Sequence, residues 1–133
     1  MSATRAPPGE KSARPGLAGS AGDPAIDLAH LARQTDDDGA LADELLGLFD
    51  RQLASLIAQA SAGDAPRRRR AEAAHQLRGS ALAVGAGAVA RAAQALEASL
   101  ARPDAESGEI DTALAALGGA IGEARTAIAK LRR

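Results

Sequence analysis

The feature that most constrains this chain is a run of apolar residues near its C-terminal end. Ile110, Leu114, Leu117, Ile121, Ala124, Ile128 and Leu131 follow one another in alternating steps of four and three. Such steps return to one face of an α-helix, whereas a strand would need a period of two. The same spacing recurs from Ala40 to about Ala60, through Leu41, Leu45, Leu48, Phe49, Leu53, Leu56, Ile57 and Ala60. Helices with one apolar stripe hide it by packing on each other, and that predicts an all-α fold. Composition agrees: most of the 46% hydrophobic fraction is Ala, with one Phe and no Trp or Tyr. Strands favour the β-branched and aromatic residues that this chain lacks.

The elements fall in order along 133 residues, one domain's worth of chain. Residues 1–24 are rich in Pro, Gly, Ser and Ala, with too little apolar surface to offset ordering, and are expected to be a disordered tail. The domain is expected over 25–133. Asp23-Pro24 reads as a helix start, opening a short helix with Ile26, Leu28 and Leu31. Asp36, Asp37, Asp38 and Gly39 break it and can cap the long helix that follows. Gly63 reads as that helix's stop and Asp64 as the next cap. A third helix is expected from about Ala65 to Val84, ending at Gly85. A fourth is expected from Ala86 to Ala101, and the last helix follows a loop through Gly108. Gly118, Gly119 and Gly122 in the last helix suggest close approach by a neighbour. Short connections favour an antiparallel up-down four-helix bundle with a short extra helix in front.

Several function classes lose their footing. Sixteen basic and 17 acidic residues leave a formal net charge of -1, without the cationic surplus that nucleic-acid backbones attract. With no Cys, thiolate metal sites and cysteine nucleophiles are excluded, and two His are poor material for zinc. Asp36 to Asp38 lack the spacing of a calcium loop. No apolar run suffices to span a bilayer, and the first residues have no signal-peptide core, so a cytoplasmic protein is expected.

The chemistry points to His75. With about 100° per residue, Ala73, Ala74, Leu77, Ala81 and Val84 share a sector roughly opposite it. A core histidine would lie inside that stripe; His75 lies outside it. Arg68, Ala71, Glu72, Arg78, Gly79 and Leu82 surround it on the outer side. Glycine inside a helix costs about 1 kcal/mol against Ala, so Gly79 calls for a reason, and clearance for an approaching protein supplies one. Neutral imidazole is a good nucleophile, well populated near neutral pH because its free pKa is about 6.5. Arg78 can offer charge-assisted hydrogen bonds to phosphate oxygens, and Ser80 a hydroxyl. Arg68, Ala71, Glu72 and Leu82 are the candidate docking contacts. Of the run Arg67 to Arg70, only Arg68 shares the His75 face. His30 has no motif around it and reads as a surface or packing histidine.

His75-Gln76-Leu77-Arg78-Gly79-Ser80, followed by Gly85-Ala86 and later Leu96-Glu97, closely resembles the histidine phosphotransfer (HPt) domain, the carrier of phosphorelays. The resemblance covers about residues 26–131, including Leu48-Phe49. It implies a monomeric bundle that takes a phosphoryl group on His75 and exchanges it with an aspartate of a response-regulator receiver domain or a hybrid histidine kinase. No cofactor is implied on this chain, since magnesium would belong to the receiver, and no kinase activity of its own. Nucleic acid and membrane are not expected partners. The family usually has Lys where this chain has Arg78, a second small hydroxyl where it has Ala81, and a smaller residue at Leu82. Two alternatives stand beside it. One is the dimerisation and phosphoacceptor segment of a histidine kinase, although Gln76 replaces the acidic residue usual there and no Pro follows before Pro103. The other is an adaptor bundle with a silent histidine.

Overall fold

In the computed structural model, which describes residues 24–132, the described chain is all-helical. Helix α1 spans Leu28–Gln34, α2 Gly39–Ser61, α3 Arg67–Val84, α4 Gly87–Ala101 and α5 Ser107–Leu131. Apart from Pro24, the tail expected over 1–24 lies outside the described residues.

Helix α2 packs on α3, α3 on α4, α4 on α5, and α5 returns to α2; α1 lies against α3 and α2. Inside the ring sit Phe49 and Leu53 of α2, Leu77 of α3, Leu96 of α4 and Leu117 of α5, all almost fully buried. Burying a side chain of this size contributes roughly 1.5–3 kcal/mol. Ala73, Ala74 and Ala81 of α3 face inward together with Ala90 and Ala93 of α4. Their short side chains let the backbones of this hairpin come close.

Helix ends differ from the sequence expectation where capping chemistry competes. Pro24 does not start α1. Asp27 does, its carboxylate accepting a hydrogen bond from the His30 amide at 3.1 Å. A side-chain cap that satisfies an orphan amide outweighs the preset φ of a proline three residues earlier. Ile26 is buried ahead of the helix, while Leu28 is 55% exposed. Asp38 caps α2 as expected, accepting from the Leu41 amide at 3.1 Å, and Asp36 and Asp37 adopt positive φ in the turn. Gly63 is not a left-handed stop: α2 ends at Ala62 with φ -70°, and Gly85 is the described glycine with positive φ. Nor does Asp64 cap α3, which starts behind Pro66 without a side-chain cap. Instead, Arg70, 8% exposed, sends its Nε to the Ala60 carbonyl at 2.9 Å and satisfies the end of α2.

Gly85 has φ +81°, and the Ala86 amide donates back to the Ala81 carbonyl at 2.8 Å, the Schellman pattern of a helix stop. The Gly85 carbonyl also accepts from the Asp27 amide at 2.8 Å, joining α1 to the α3–α4 turn. On the α2–α5 side, Arg125 pairs with Asp50 at 2.9 Å and Arg132 with Asp43 at 3.0 Å. Gly47 lies under Arg132, where an added Cβ would meet the guanidinium at 2.9 Å. The three glycines of α5 admit no close neighbour, because an added Cβ at Gly118, Gly119 or Gly122 meets nothing within 4 Å. Leu41 and Leu48, expected on the buried stripe of α2, are 38% and 45% exposed. Among the described residues, no helix is long and apolar enough to cross a membrane.

Candidate functional site

The core stripe of α3 fixes where its outer residues stand. Ala73, Ala74, Leu77, Ala81 and Val84 are all buried, so the opposite face is turned to solvent. His75 stands there with its side chain 59% exposed. Its ring is oriented: Nδ1 lies 3.1 Å from Oε2 of Glu97 on α4. An ionised carboxylate can only accept, so the contact suits the neutral tautomer with its proton on Nδ1, and in that tautomer Nε2 keeps its lone pair.

Glu97 reaches this place because the hairpin is symmetric. His75 and Glu97 each stand eleven residues from Ala86, beside the stop at Gly85, so an antiparallel turn sets them level. That symmetry about Gly85-Ala86 was available in the sequence, yet it assigned Glu97 no role beside the histidine. Glu97 belongs to the Leu96-Glu97 pair that carries the sequence resemblance, but it was not among the site residues expected from the sequence.

A shallow open concavity of about 330 Å³ surrounds the ring, lined by Arg68, Ala71, Glu72, His75, Gln76 and Glu97. Three of the expected docking residues, Arg68, Ala71 and Glu72, are thus beside His75. Gly79, one turn further, has open space above it: an added Cβ would meet nothing within 4 Å. Leu82, 55% exposed, lies two turns from His75 on the same face. It borders a second groove of about 290 Å³, with His30, Asp27 and Arg91 among its other walls. His30 is half-buried with an unpartnered Nε2, in keeping with a packing role.

Arg78 is half-buried one turn from His75, and its Nε is buried without a protein partner. Ser80 is a different case. Five residues on, it stands about 140° round the helix from His75, half-buried and outside the concavity. The arginine run divides by job. Arg67 holds the carbonyls of Arg102 and Ala105 at 2.9 and 2.7 Å, and Arg70 is spent on Ala60. Arg68 is left exposed in the concavity.

Chemically, the arrangement offers one nucleophilic nitrogen with its proton held on the far side of the ring, flanking cations, and room for a large partner. Among the described residues, no group of three or more His, Asp or Glu is placed to hold a metal ion. No protein-family model matches the chain, and no curated protein or solved structure matches it either.

Proposed function

We propose that this chain is a phosphorelay intermediate, carrying a phosphoryl group on Nε2 of His75 and exchanging it with an aspartate of a receiver domain. The observation that carries this is the oriented, exposed imidazole: Nδ1 is engaged by Glu97 at 3.1 Å while the rest of the ring faces solvent above an open Gly79. A resting nucleophile needs a free lone pair, and an intermolecular one needs access. The sequence resemblance to HPt domains points the same way.

The fold that goes with this role is an antiparallel up-down bundle of α2 to α5, with α1 as the extra helix; the closed ring of helix contacts supports it. Arg78 supplies charge to the phosphoryl oxygens and Gly79 the clearance. Ser80 is the weakest of the phosphate-supporting assignments, given its place round the helix. Arg68, Ala71, Glu72 and Leu82 form the contact face for a response-regulator receiver or a hybrid kinase. Magnesium and the in-line geometry belong to that partner, and the chain acts as a cytoplasmic monomer with no kinase activity of its own.

The test is uptake of label from phosphorylated receiver domains. Wild type should acquire acid-labile phosphate, and His75→Gln should acquire none while keeping its helical circular dichroism. Equal uptake by His75→Gln, or none by wild type across a panel of receivers, overturns the proposal.

A further inference from the structure

Helix α1 is held differently from the four helices that follow it. It has seven residues, Leu28–Gln34, too few for a helix to persist in water by itself. Leu31 is its one buried residue, whereas α2 to α5 each bury five or six. Ile26 and Thr35, buried on either side of it, complete its hold on the bundle. We infer that α1 is a strap that opens while the α2–α5 bundle stays folded, and that its closed state is the one a partner docks on; the docking part rests on the carrier reading of His75.

The hydrogen bonds of α1 suit departure as a unit. The Leu31 amide donates to the Asp27 carbonyl at 3.0 Å, and the Thr35 amide and hydroxyl donate to the Leu31 carbonyl at 3.1 and 2.9 Å. All three travel with the helix. Its main-chain tie to the bundle is the Asp27 amide on the Gly85 carbonyl at 2.8 Å. Two features of the closed state favour release. Nε2 of His30 is buried without a partner, a penalty that water removes on opening. At the joint with α2, Asp36 and Asp37 hold φ 51° and 59°, a left-handed pair without glycine that opening sets free. Closure also builds the groove beside Leu82. Asp27 and His30 form its α1 side, and Leu82, Gly85 and Arg91 stand on the bundle side. A partner seated against Leu82 therefore meets the complete groove only when α1 is closed.

The experiment is native-state amide hydrogen exchange, read by NMR on the full chain. The amides of Asp27, Leu31 and Thr35 should share one level of protection, at least about tenfold below Leu53, Leu77, Leu96 and Leu117. Equal protection overturns the inference. Ile121→Val weakens α5, which α1 does not touch, so it should lower protection of the bundle amides about two- to tenfold and leave those of α1 unchanged. A fall of the α1 amides in step with the bundle means that α1 opens only by global unfolding, and that overturns the inference too. Asp37→Gly relieves the joint and should raise α1 protection about two- to fivefold, whereas Leu31→Ala should lower it about thirtyfold or more. Phosphate exchange with a receiver should then fall in Leu31→Ala in proportion to the closed fraction read from its α1 amides, and hold in Ile121→Val. Unchanged transfer by a chain whose α1 amides have lost protection overturns the docking part. Wild type that exchanges with no receiver overturns the carrier role and the docking part together, while the amide measurements still decide whether α1 opens alone.

Discussion

Replacing Gly85 and Gly79 by alanine should have opposite effects, although the chemical change is the same. Gly85 holds φ +81°, where an L-residue costs about 1–2 kcal/mol. Its added Cβ would also lie 2.9 Å from the Asp27 carbonyl oxygen, a backbone atom that cannot swing aside like a side-chain tip. Moving Asp27 away would strain the 2.8 Å hydrogen bond from its amide to the Gly85 carbonyl, worth about 0.5–1.5 kcal/mol net. The expected destabilisation is thus about 2–3 kcal/mol, or roughly 10 °C or more in Tm for a domain near 100 residues. Gly79 sits inside α3 with open space around it, so alanine should add about 1 kcal/mol of stability. With no Trp or Tyr to report, urea unfolding is best followed by far-ultraviolet circular dichroism. A Gly85→Ala midpoint unchanged to within about 0.5 kcal/mol would refute the reasoning about the turn. Because that turn sets His75 level with Glu97, the same variant should also loosen the ring contact.

Further outcomes follow from single side chains. Arg70→Met removes the donor to the Ala60 carbonyl at a buried helix end and should cost about 1–3 kcal/mol in urea unfolding. Gly122→Ala, on the open side of α5, should stabilise by roughly 0.5–1 kcal/mol; destabilisation would mean a neighbour that the fold does not show. Leu82→Asp changes a 55% exposed side chain, so the unfolding midpoint should hold while exchange with a receiver slows about fivefold or more. The Glu109 carboxylate is held below its ordinary value of 4.5, first by the hydrogen bond from Arg102. Its contribution to stability is therefore present above that value and lost as pH falls through the lower folded one. The Tm difference between wild type and Glu109→Gln should accordingly close as pH drops below about 4.

Helix number, order and approximate extent were legible because each follows from local spacing, and the outward placement of His75 followed from the buried stripe of α3. What the sequence left unread depended on partners distant along the chain. Leu41 and Leu48 share the α2 spacing with Phe49 and Leu53, yet they stand at the margin of an apolar arc wider than the neighbouring helices cover. Asp64 has the right chemistry for a cap, but Pro66 starts α3 and Arg70 meets the adjoining helix end instead. Gly118, Gly119 and Gly122 suggested a close neighbour only while the position of other helices was unknown. Glu97 needed the geometry of the hairpin, which a motif read along the chain does not contain. Helix geometry along the chain placed Arg67 and Arg70 off the His75 face, but it could not show their acceptors, the carbonyls of Ala60, Arg102 and Ala105.

The most direct measurement is the location of the phosphorus atom after the chain has been charged by a phosphorylated receiver domain, read by ³¹P and ¹⁵N NMR on labelled protein. The account predicts one acid-labile signal, coupled to Nε2 of His75 and absent from His75→Gln. Phosphorus on Nδ1, on His30 or on an acid-stable hydroxyl, or no phosphorus at all, would contradict it.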